Sequence, residues 1–281
     1  MSKVVLFTDS TSDLPKHLVE EYDIRVVPLT VHFGDEEYRD GYDLTPTEFY
    51  AKLTTSSHTP TTSQVPPQRF VEEYEKELVK GNIILSIHLS SKVSGTYQAA
   101  ITAKNMLESN DIEVIDSKGM SIGFGLIVLE AAKMLKLGLG IKETADRVRA
   151  LCEKQQYYFS VDTLEYLKRG GRLSPLKAMI GTILNMKPIL CVKDGAVEPL
   201  DKVRGRKKVF SRLIELSKEA GGDFSKQSIA VAHACVPDVA AEFANEVKKE
   251  LNPKEILIAE IGSVIGTHVG PGAIGIFFGG K

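Results

Sequence analysis

Two segments of the chain repeat one order of elements: an apolar run, a hydroxyl-rich loop and a helix. The run Val4 to Thr8 is followed by the polar loop Asp9 to Asp13, and the run Ile83 to Leu89 by the loop Ser90 to Gly95 and helix-spaced residues from Thr96 to Leu107. Short apolar runs that alternate with helices are typical of buried strands in a parallel sheet. The repetition predicts a Rossmann-like α/β domain with helices on both faces of the sheet.

The segment between these two units carries a helix start and a long polar stretch. Thr45 and Glu48 have capping-box spacing, which predicts that a helix begins there. Ile24 to Phe33 has the pattern of a second strand, and residues 54 to 67 are rich in Ser, Thr and Pro. Such a stretch is ordered only where other elements or a ligand hold it, so it is a candidate binding loop. Ligands of parallel sheets lie beyond the carboxyl ends of the strands, where both hydroxyl-rich loops are predicted to lie.

The pattern changes after about Tyr157. Asp194-Gly195 separates two strand-like runs and predicts a hairpin, and a helix from Lys207 to Ala220, alternating strands and helices and two closing strands follow. We therefore predict two domains, a Rossmann-like α/β domain over residues 1–157 and an α+β domain with an antiparallel sheet over residues 158–281.

The composition is that of a globular protein. Hydrophobic residues make up 43% and charged residues 26% of the 281 residues, with a net charge of -2, which gives no indication of nucleic-acid binding. The three cysteines, Cys152, Cys191 and Cys235, are far apart and are interpreted as reduced core thiols. The N-terminal apolar run is too short for a signal peptide, and no run is long enough to span a bilayer. We expect a soluble cytoplasmic protein.

Three features of the sequence resemble catalytic, cofactor-binding or metal-binding motifs. Gly270 to Gly275 matches GxGxxG, but too few residues follow for a helix to receive a pyrophosphate, so we reject a dinucleotide site. Asp9 is placed like an aspartyl nucleophile, although Thr11 stands where the second acid is required; the alternative is that Asp9 and Asp13 cap the turn and the next helix. The six histidines show no metal-ligand spacing, and no metal is expected. His268 stands out because small, flexible residues surround it, where a ligand can approach.

Ser94 and Gly95 precede a predicted helix, a position where hydroxyl and backbone N–H groups converge on an anion. By itself this pattern is only a helix cap. The predicted sheet edge, however, collects several hydroxyl loops without a strong base, nucleophile or metal set beside them. Neutral donors of this kind favour holding a carboxylate over attacking one.

Six motifs in this order resemble the DegV family of bacterial fatty-acid-binding proteins, which includes the acyl-carrier subunit of fatty acid kinase. The resemblance covers the whole chain. The motifs are Thr8 to Pro15, Thr61 to Gln64, Ser90 to Tyr97, Leu164 to Arg172, Lys202 to Gly205 and Thr267 to Gly272.

The resemblance implies a DegV-like fold that binds one long-chain fatty acid, such as palmitate, stearate or oleate, in an apolar tunnel. It implies carboxylate contacts from Thr62, Ser94 and His268, with Gly95, Ser63 and Thr61 close by. Apolar residues such as those within Met179 to Met186 and Ile274 to Phe278 are expected to line the tunnel. We expect no cofactor, and no enzyme activity or ATP site of the chain's own.

In kinase-associated members the carrier presents the acid to a separate ATP-binding kinase, which makes acyl phosphate for phospholipid synthesis. Arg172, Lys202, Arg204 and Arg206 are the residues expected to contact a partner. Lys202, Arg204, Arg206, Lys207 and Lys208 place five cations within seven residues. This clustering fits either a solvated face or a surface for the acidic kinase or for anionic lipid head groups.

Two other functions stay open at this point. The first is an acyl or phosphate ester hydrolase or transferase that uses Asp9 or His268. The second is a lipid sensor without a kinase partner.

Overall fold

The computed structural model describes residues 3–173 and 186–281. The strands are β1 Val4–Asp9, β2 Arg25–Val27, β3 Thr30–Phe33, β4 Glu36–Arg39, β5 Thr61–Ser63, β6 Ile83–His88, β7 Ile112–Asp116, β8 Gln155–Ser160, β9 Lys187–Lys193, β10 Ala196–Val203, β11 Ser228–His233, β12 Glu255–Glu260 and β13 Ile274–Gly279. The helices are α1 Lys16–Glu21, α2 Pro46–Thr55, α3 Pro67–Leu78, α4 Thr96–Met106, α5 Ser121–Lys136, α6 Ile141–Lys154, α7 Glu165–Arg169, α8 Arg206–Ala220, α9 Pro237–Leu251 and α10 Ser263–Val269. Short 3-10 helices span Ser10–Ser12 and Phe224–Lys226.

The predicted parallel sheet is confirmed. Its four strands lie in the order β2-β1-β6-β7, and each neighbouring pair is parallel. The central strands β1 and β6 are buried along almost their whole length because helices cover both faces. Both hydroxyl-rich loops leave the sheet at the same edge, directly after β1 and β6.

The second sheet has six strands in the order β10-β9-β8-β13-β11-β12. It is antiparallel except for the β11-β12 pair, which is parallel, so the α+β prediction is confirmed with a mixed sheet. The Asp194-Gly195 hairpin is also confirmed, since both residues have positive φ between β9 and β10. Because β8 begins at Gln155 and pairs within this sheet, we propose that the domain boundary lies between α6 and β8.

The single strand predicted over Ile24 to Phe33 is wrong. The segment forms β2, which pairs with β1, and β3, which belongs to a separate three-stranded sheet in the order β4-β3-β5. Pro28 lies between them and has no backbone N–H to continue a ladder. The polar stretch at residues 54 to 67 is anchored to this small sheet through β5, where Thr62 pairs with Val31.

The segment around His268 is a helix, and our interpretation of it as flexible residues alone is wrong. α10 presents Val264, Ile265, His268 and Val269 to one cavity and packs against α2. Gly266 allows this packing, since a Cβ there would lie 2.7 Å from the Tyr50 hydroxyl oxygen. As predicted, no helix follows the GxGxxG match, whose last two residues already belong to strand β13.

Candidate ligand-binding site

A cavity of about 290 Å³ lies between the parallel sheet's loop edge and α10. This volume is near the lower end for small-molecule pockets. Its apolar wall consists of Leu29, Leu89, Val93, Met120, Phe159, Leu167, Val197, Val264, Ile265 and Val269. Its polar lining consists of Thr62, Ser63, Gln64, Ser94, Gly95, Arg172 and His268. A largely aliphatic wall with a few polar groups suits a ligand with a long apolar part and one polar head.

Thr62 and His268 form the central polar contact of the cavity. Thr62 Oγ1 and His268 Nε2 are 3.0 Å apart, although the two residues are 206 positions apart in the chain. Burial and, secondly, the charge of Arg172 lower the pKa of His268 to about 4, so the imidazole is neutral at pH 7. Nδ1 is buried and has no hydrogen-bond partner within the described residues. We therefore assign the proton to Nε2, which donates to Thr62 and directs the threonine hydroxyl proton toward the cavity.

Ser94 supplies a second hydroxyl from the loop after β6. The Thr96 backbone N–H donates to Ser94 Oγ at 3.2 Å, and the Thr96 hydroxyl lies 3.0 Å from the same oxygen. When Thr96 donates both hydrogen bonds, the proton of Ser94 is available to a ligand. Gly95 lies next to Gln64, whose side-chain oxygen would be 1.9 Å from a Cβ at position 95. This contact brings the loop of Ser94 against the strand of Thr62.

Arg172 lies in the cavity wall and not on the open surface. Its Nε donates to Val93 O at 3.1 Å, and its Nη1 donates to Gly170 O at 2.6 Å. A Cβ at Gly170 would lie only 2.2 Å from His268 Nδ1, so glycine is required for the close approach of this segment to α10. The guanidinium thus adds a fixed positive charge beside the neutral donors. Its predicted contact with a partner stays a prediction.

The other predicted residues are placed as follows. Ser63 and Gly95 line the cavity, whereas Thr61 is exposed and does not. Ile274 to Phe278 lies in the buried strand β13, outside the cavity lining. The stretch Met179 to Met186, except Met186 itself, lies outside the described residues.

Asp9 does not line the cavity and lies in a buried polar chain behind it. Tyr74 Oη donates to Ser86 Oγ at 2.7 Å, Ser86 Oγ is 2.7 Å from His88 Nε2, and His88 Nδ1 is 3.0 Å from Asp9 Oδ2. The Thr11 N–H and hydroxyl and the Leu89 N–H complete the contacts of the Asp9 carboxylate. Ser, His and Asp are connected here as in a catalytic triad, but all three are buried and none lines the cavity.

The predicted capping role of Asp9 is confirmed, because its side chain accepts the Thr11 N–H at the start of the first 3-10 helix. The prediction that Asp13 caps the next helix is wrong. Pro15 precedes α1 without a side-chain cap, while Asp13 Oδ1 accepts the Gly262 N–H at 3.0 Å.

Two further observations concern the described part of the chain. Within residues 3–173 and 186–281, no three His, Cys, Asp or Glu side chains are grouped as ligands of a metal ion. No helix in these ranges has the length and apolar character needed to cross a membrane.

Comparison with known proteins agrees with this architecture over its whole length. A family model described as "Uncharacterised protein, DegV family" matches residues 3–281. A DegV domain-containing protein of Caldanaerobacter subterraneus subsp. tengcongensis is 40% identical over 278 residues, 99% of each chain. This chain belongs to the DegV family.

Solved DegV structures share the fold closely. A DegV family protein from Thermus thermophilus, described in terms of fatty acid binding, has a TM-score of 0.93 and 35% identity over 99% of this chain and 100% of its own. DegV of Bacillus subtilis, described as a fatty acid binding protein, has a TM-score of 0.91 and 36% identity over 100% of each chain. Fatty acid binding by DegV proteins is thus supported.

The cavity position of Arg172 was the main feature that sequence reasoning missed. The Gly170-Gly171 pair before it was the available signal, because adjacent glycines permit a close backbone approach. The apolar wall residues had no such signal, since cavity lining and core have the same composition.

Proposed function

We propose that this protein binds one long-chain fatty acid in the cavity and holds its carboxylate with Thr62, Ser94 and His268. The observation that carries the proposal is the convergence of two hydroxyls and a neutral imidazole on a mainly aliphatic cavity. Arg172 contributes positive charge at the same place. A carboxylate accepts hydrogen bonds only, which matches this set of donors.

Tail and head group have different energetic roles in this proposal. Burial of a methylene group contributes about 0.8 kcal/mol, so a sixteen-carbon acid gains roughly 10 kcal/mol before ordering and desolvation are subtracted. A carboxylate that enters the cavity without donors loses far more in desolvation than it gains. The hydroxyls and His268 therefore offset desolvation and orient the acid, while the tail provides most of the affinity.

Protein purified without added lipid is expected to carry one fatty acid, because a ligand with this much buried apolar surface dissociates slowly. Native mass spectrometry before and after lipid extraction measures the stoichiometry and the acyl chain length. A variant with Leu167→Arg, which places a charge in the aliphatic wall, is expected to be purified empty. A nucleotide in place of a lipid would contradict the proposal.

We further propose that the protein presents the carboxylate to a separate fatty acid kinase, through the basic strip formed by Lys202, Arg204, Arg206, Lys207 and Lys208. All five are exposed, and none forms a salt bridge with a carboxylate of the described residues. The last three occupy the first turn of α8, where no acidic residue is present and cations oppose the helix dipole. Val197 of β10 lines the cavity, and Lys202 lies roughly 17 Å further along the same strand.

Arg204→Ala with Arg206→Ala is expected to leave the fatty acid content unchanged but to slow acyl-phosphate formation by a supplied kinase. The physical reason is a weaker encounter with an acidic surface, so the wild-type rate is expected to fall as salt rises. The matched control is Lys248→Ala with Lys249→Ala, two exposed cations at the end of α9. Equal rates for both double variants, measured at low salt with loaded protein, would show that the basic strip is only a solvated face.

The same assays separate the alternatives. Turnover of acyl or phosphate esters by the protein alone would favour a hydrolase. Normal fatty acid binding without acyl phosphate, even with kinase and ATP, would favour a lipid sensor.

A further inference from the structure

Two carboxyl groups from distant parts of the chain meet at the start of α10. Asp13 follows the first 3-10 helix, and Asp40 follows β4. A Cβ at Gly262 would lie 2.8 Å from Asp13 Oδ1 and 3.3 Å from Asp40 Oδ1, so both side chains converge on the residue that precedes α10. Asp40 is buried and Asp13 is partly buried.

The two carboxyls have different hydrogen-bond partners. Asp40 Oδ1 accepts the Ser263 N–H at 3.0 Å, and the Val264 N–H and the hydroxyls of Ser10 and Ser263 are further hydrogen-bond partners of this carboxyl. Asp13 Oδ1 accepts the Gly262 N–H, and the Ser121 hydroxyl donates to Asp13 Oδ2. A backbone N–H can only donate and suits an ionised carboxylate, whereas a hydroxyl can also turn to accept from a protonated one. Two backbone N–H groups contact Asp40 and one contacts Asp13, which favours the charge on Asp40.

The surroundings of the pair also favour protonation of one carboxyl group. No lysine, arginine or histidine of the described residues forms a salt bridge with Asp13 or Asp40. Burial raises the pKa of Asp13 well above its ordinary value, the Ser121 hydrogen bond opposes this, and the Asp40 charge raises the pKa further. Two negative charges that face the same residue, Gly262, without a cation are unfavourable, and one proton on the pair removes the conflict.

We propose that Asp13 and Asp40 form a carboxyl pair with one proton, carried by Asp13, which positions α10 and thereby places His268 against Thr62. α10 is only seven residues long, so its orientation depends on how its first residues are held. The helix packs against α7 at its other side, where His268 meets Gly170. The pair thus acts on the ligand through His268 and touches no ligand itself. The ligand part of this inference rests on the proposed fatty acid site.

The test compares Asp13→Asn with Asp40→Asn for binding of dodecanoate and of dodecan-1-ol. An asparagine amide can replace a protonated Asp13, because it accepts from Gly262 and donates to Ser121. At position 40 the amide keeps one acceptor oxygen where the carboxylate has two for the N–H groups of Ser263 and Val264 and the hydroxyls of Ser10 and Ser263. We expect Asp13→Asn to bind dodecanoate within about threefold of wild type and Asp40→Asn to lose about tenfold or more, with alcohol binding unchanged in both.

A second measurement does not depend on the ligand. The imidazole NMR signals of His268 in ligand-free protein are expected to shift in Asp40→Asn and to stay in place in Asp13→Asn. If Asp40→Asn does not fold, Asp13→Ala replaces it, since it removes the Gly262 contact and is expected to shift the same signals. Unmoved His268 signals, or equal effects of Asp13→Asn and Asp40→Asn, would overturn the positioning role. Failure of wild type to bind dodecanoate would instead overturn the proposed function.

Discussion

Replacement of Thr62, Ser94 and His268 together by alanine is expected to lower the affinity for palmitate by on the order of 100-fold or more. Each hydroxyl withdrawn from a buried carboxylate costs about 1–3 kcal/mol, and loss of His268 removes the N–H that orients the Thr62 hydroxyl. About 1.4 kcal/mol corresponds to a factor of ten. The three losses are not additive, because Thr62 and His268 contact each other at 3.0 Å. Fluorescence displacement on delipidated protein measures the change.

The control is Thr61→Ala, which removes a neighbouring hydroxyl that is exposed and does not line the cavity. It is expected to bind palmitate like wild type. A long-chain alcohol provides the second control, since its affinity depends mainly on the tail. Equal palmitate affinity of wild type and the triple variant, with unchanged thermal melts, would show that the head group is held elsewhere.

The Asp9→Ala variant is expected to lose roughly 3–5 kcal/mol of unfolding free energy, because it leaves several buried donors without an acceptor. These donors are the His88 Nδ1–H and the backbone N–H groups of Thr11 and Leu89. Asp9→Asn keeps one acceptor oxygen and should lose less. Urea unfolding of delipidated protein, followed by circular dichroism, measures the difference.

Asp35→Ala serves as the matched control, since Asp35 is exposed in the turn between β3 and β4, and a change within about 0.5 kcal/mol is expected. The Asp9 variants also address the hydrolase alternative. An Asp9→Asn protein that folds but loses ester turnover seen in wild type would support Asp9 as a nucleophile. A loss of stability without any such turnover supports a structural role.

The parts of the fold that were predictable depend on local sequence patterns. The β1 and β6 units have apolar runs of strand length, and the hairpin has Asp194-Gly195, so these elements were identified correctly. Such patterns, combined with the family motifs, also predicted that Thr62 and Ser94 lie at the cavity.

The features that could not be predicted from the sequence depend on contacts between residues far apart in the chain. α10 contains Gly266 and β-branched residues, which favour a helix little, and it is stabilised by packing on α2 and by Asp13 and Asp40. The buried chain from Tyr74 to Asp9 joins residues 79 positions apart at its His88–Asp9 contact, so no local spacing reveals it. The cavity position of Arg172 depends in the same way on Val93 O.

The position of β13 between β8 and β11 bears on how the protein is made in the cell. A ribosome releases the N-terminal strands first, so β8 and β11 leave the exit tunnel before the strand that pairs with both. Until then each presents an open hydrogen-bonding edge, which is a template for association between nascent chains. β13 also follows α10 in the chain. A chain that has completed this sheet therefore already contains His268 outside the ribosome. Binding of the proposed fatty acid therefore has to follow the synthesis of α10, and the unpaired edges of β8 and β11 disappear once β13 has been added.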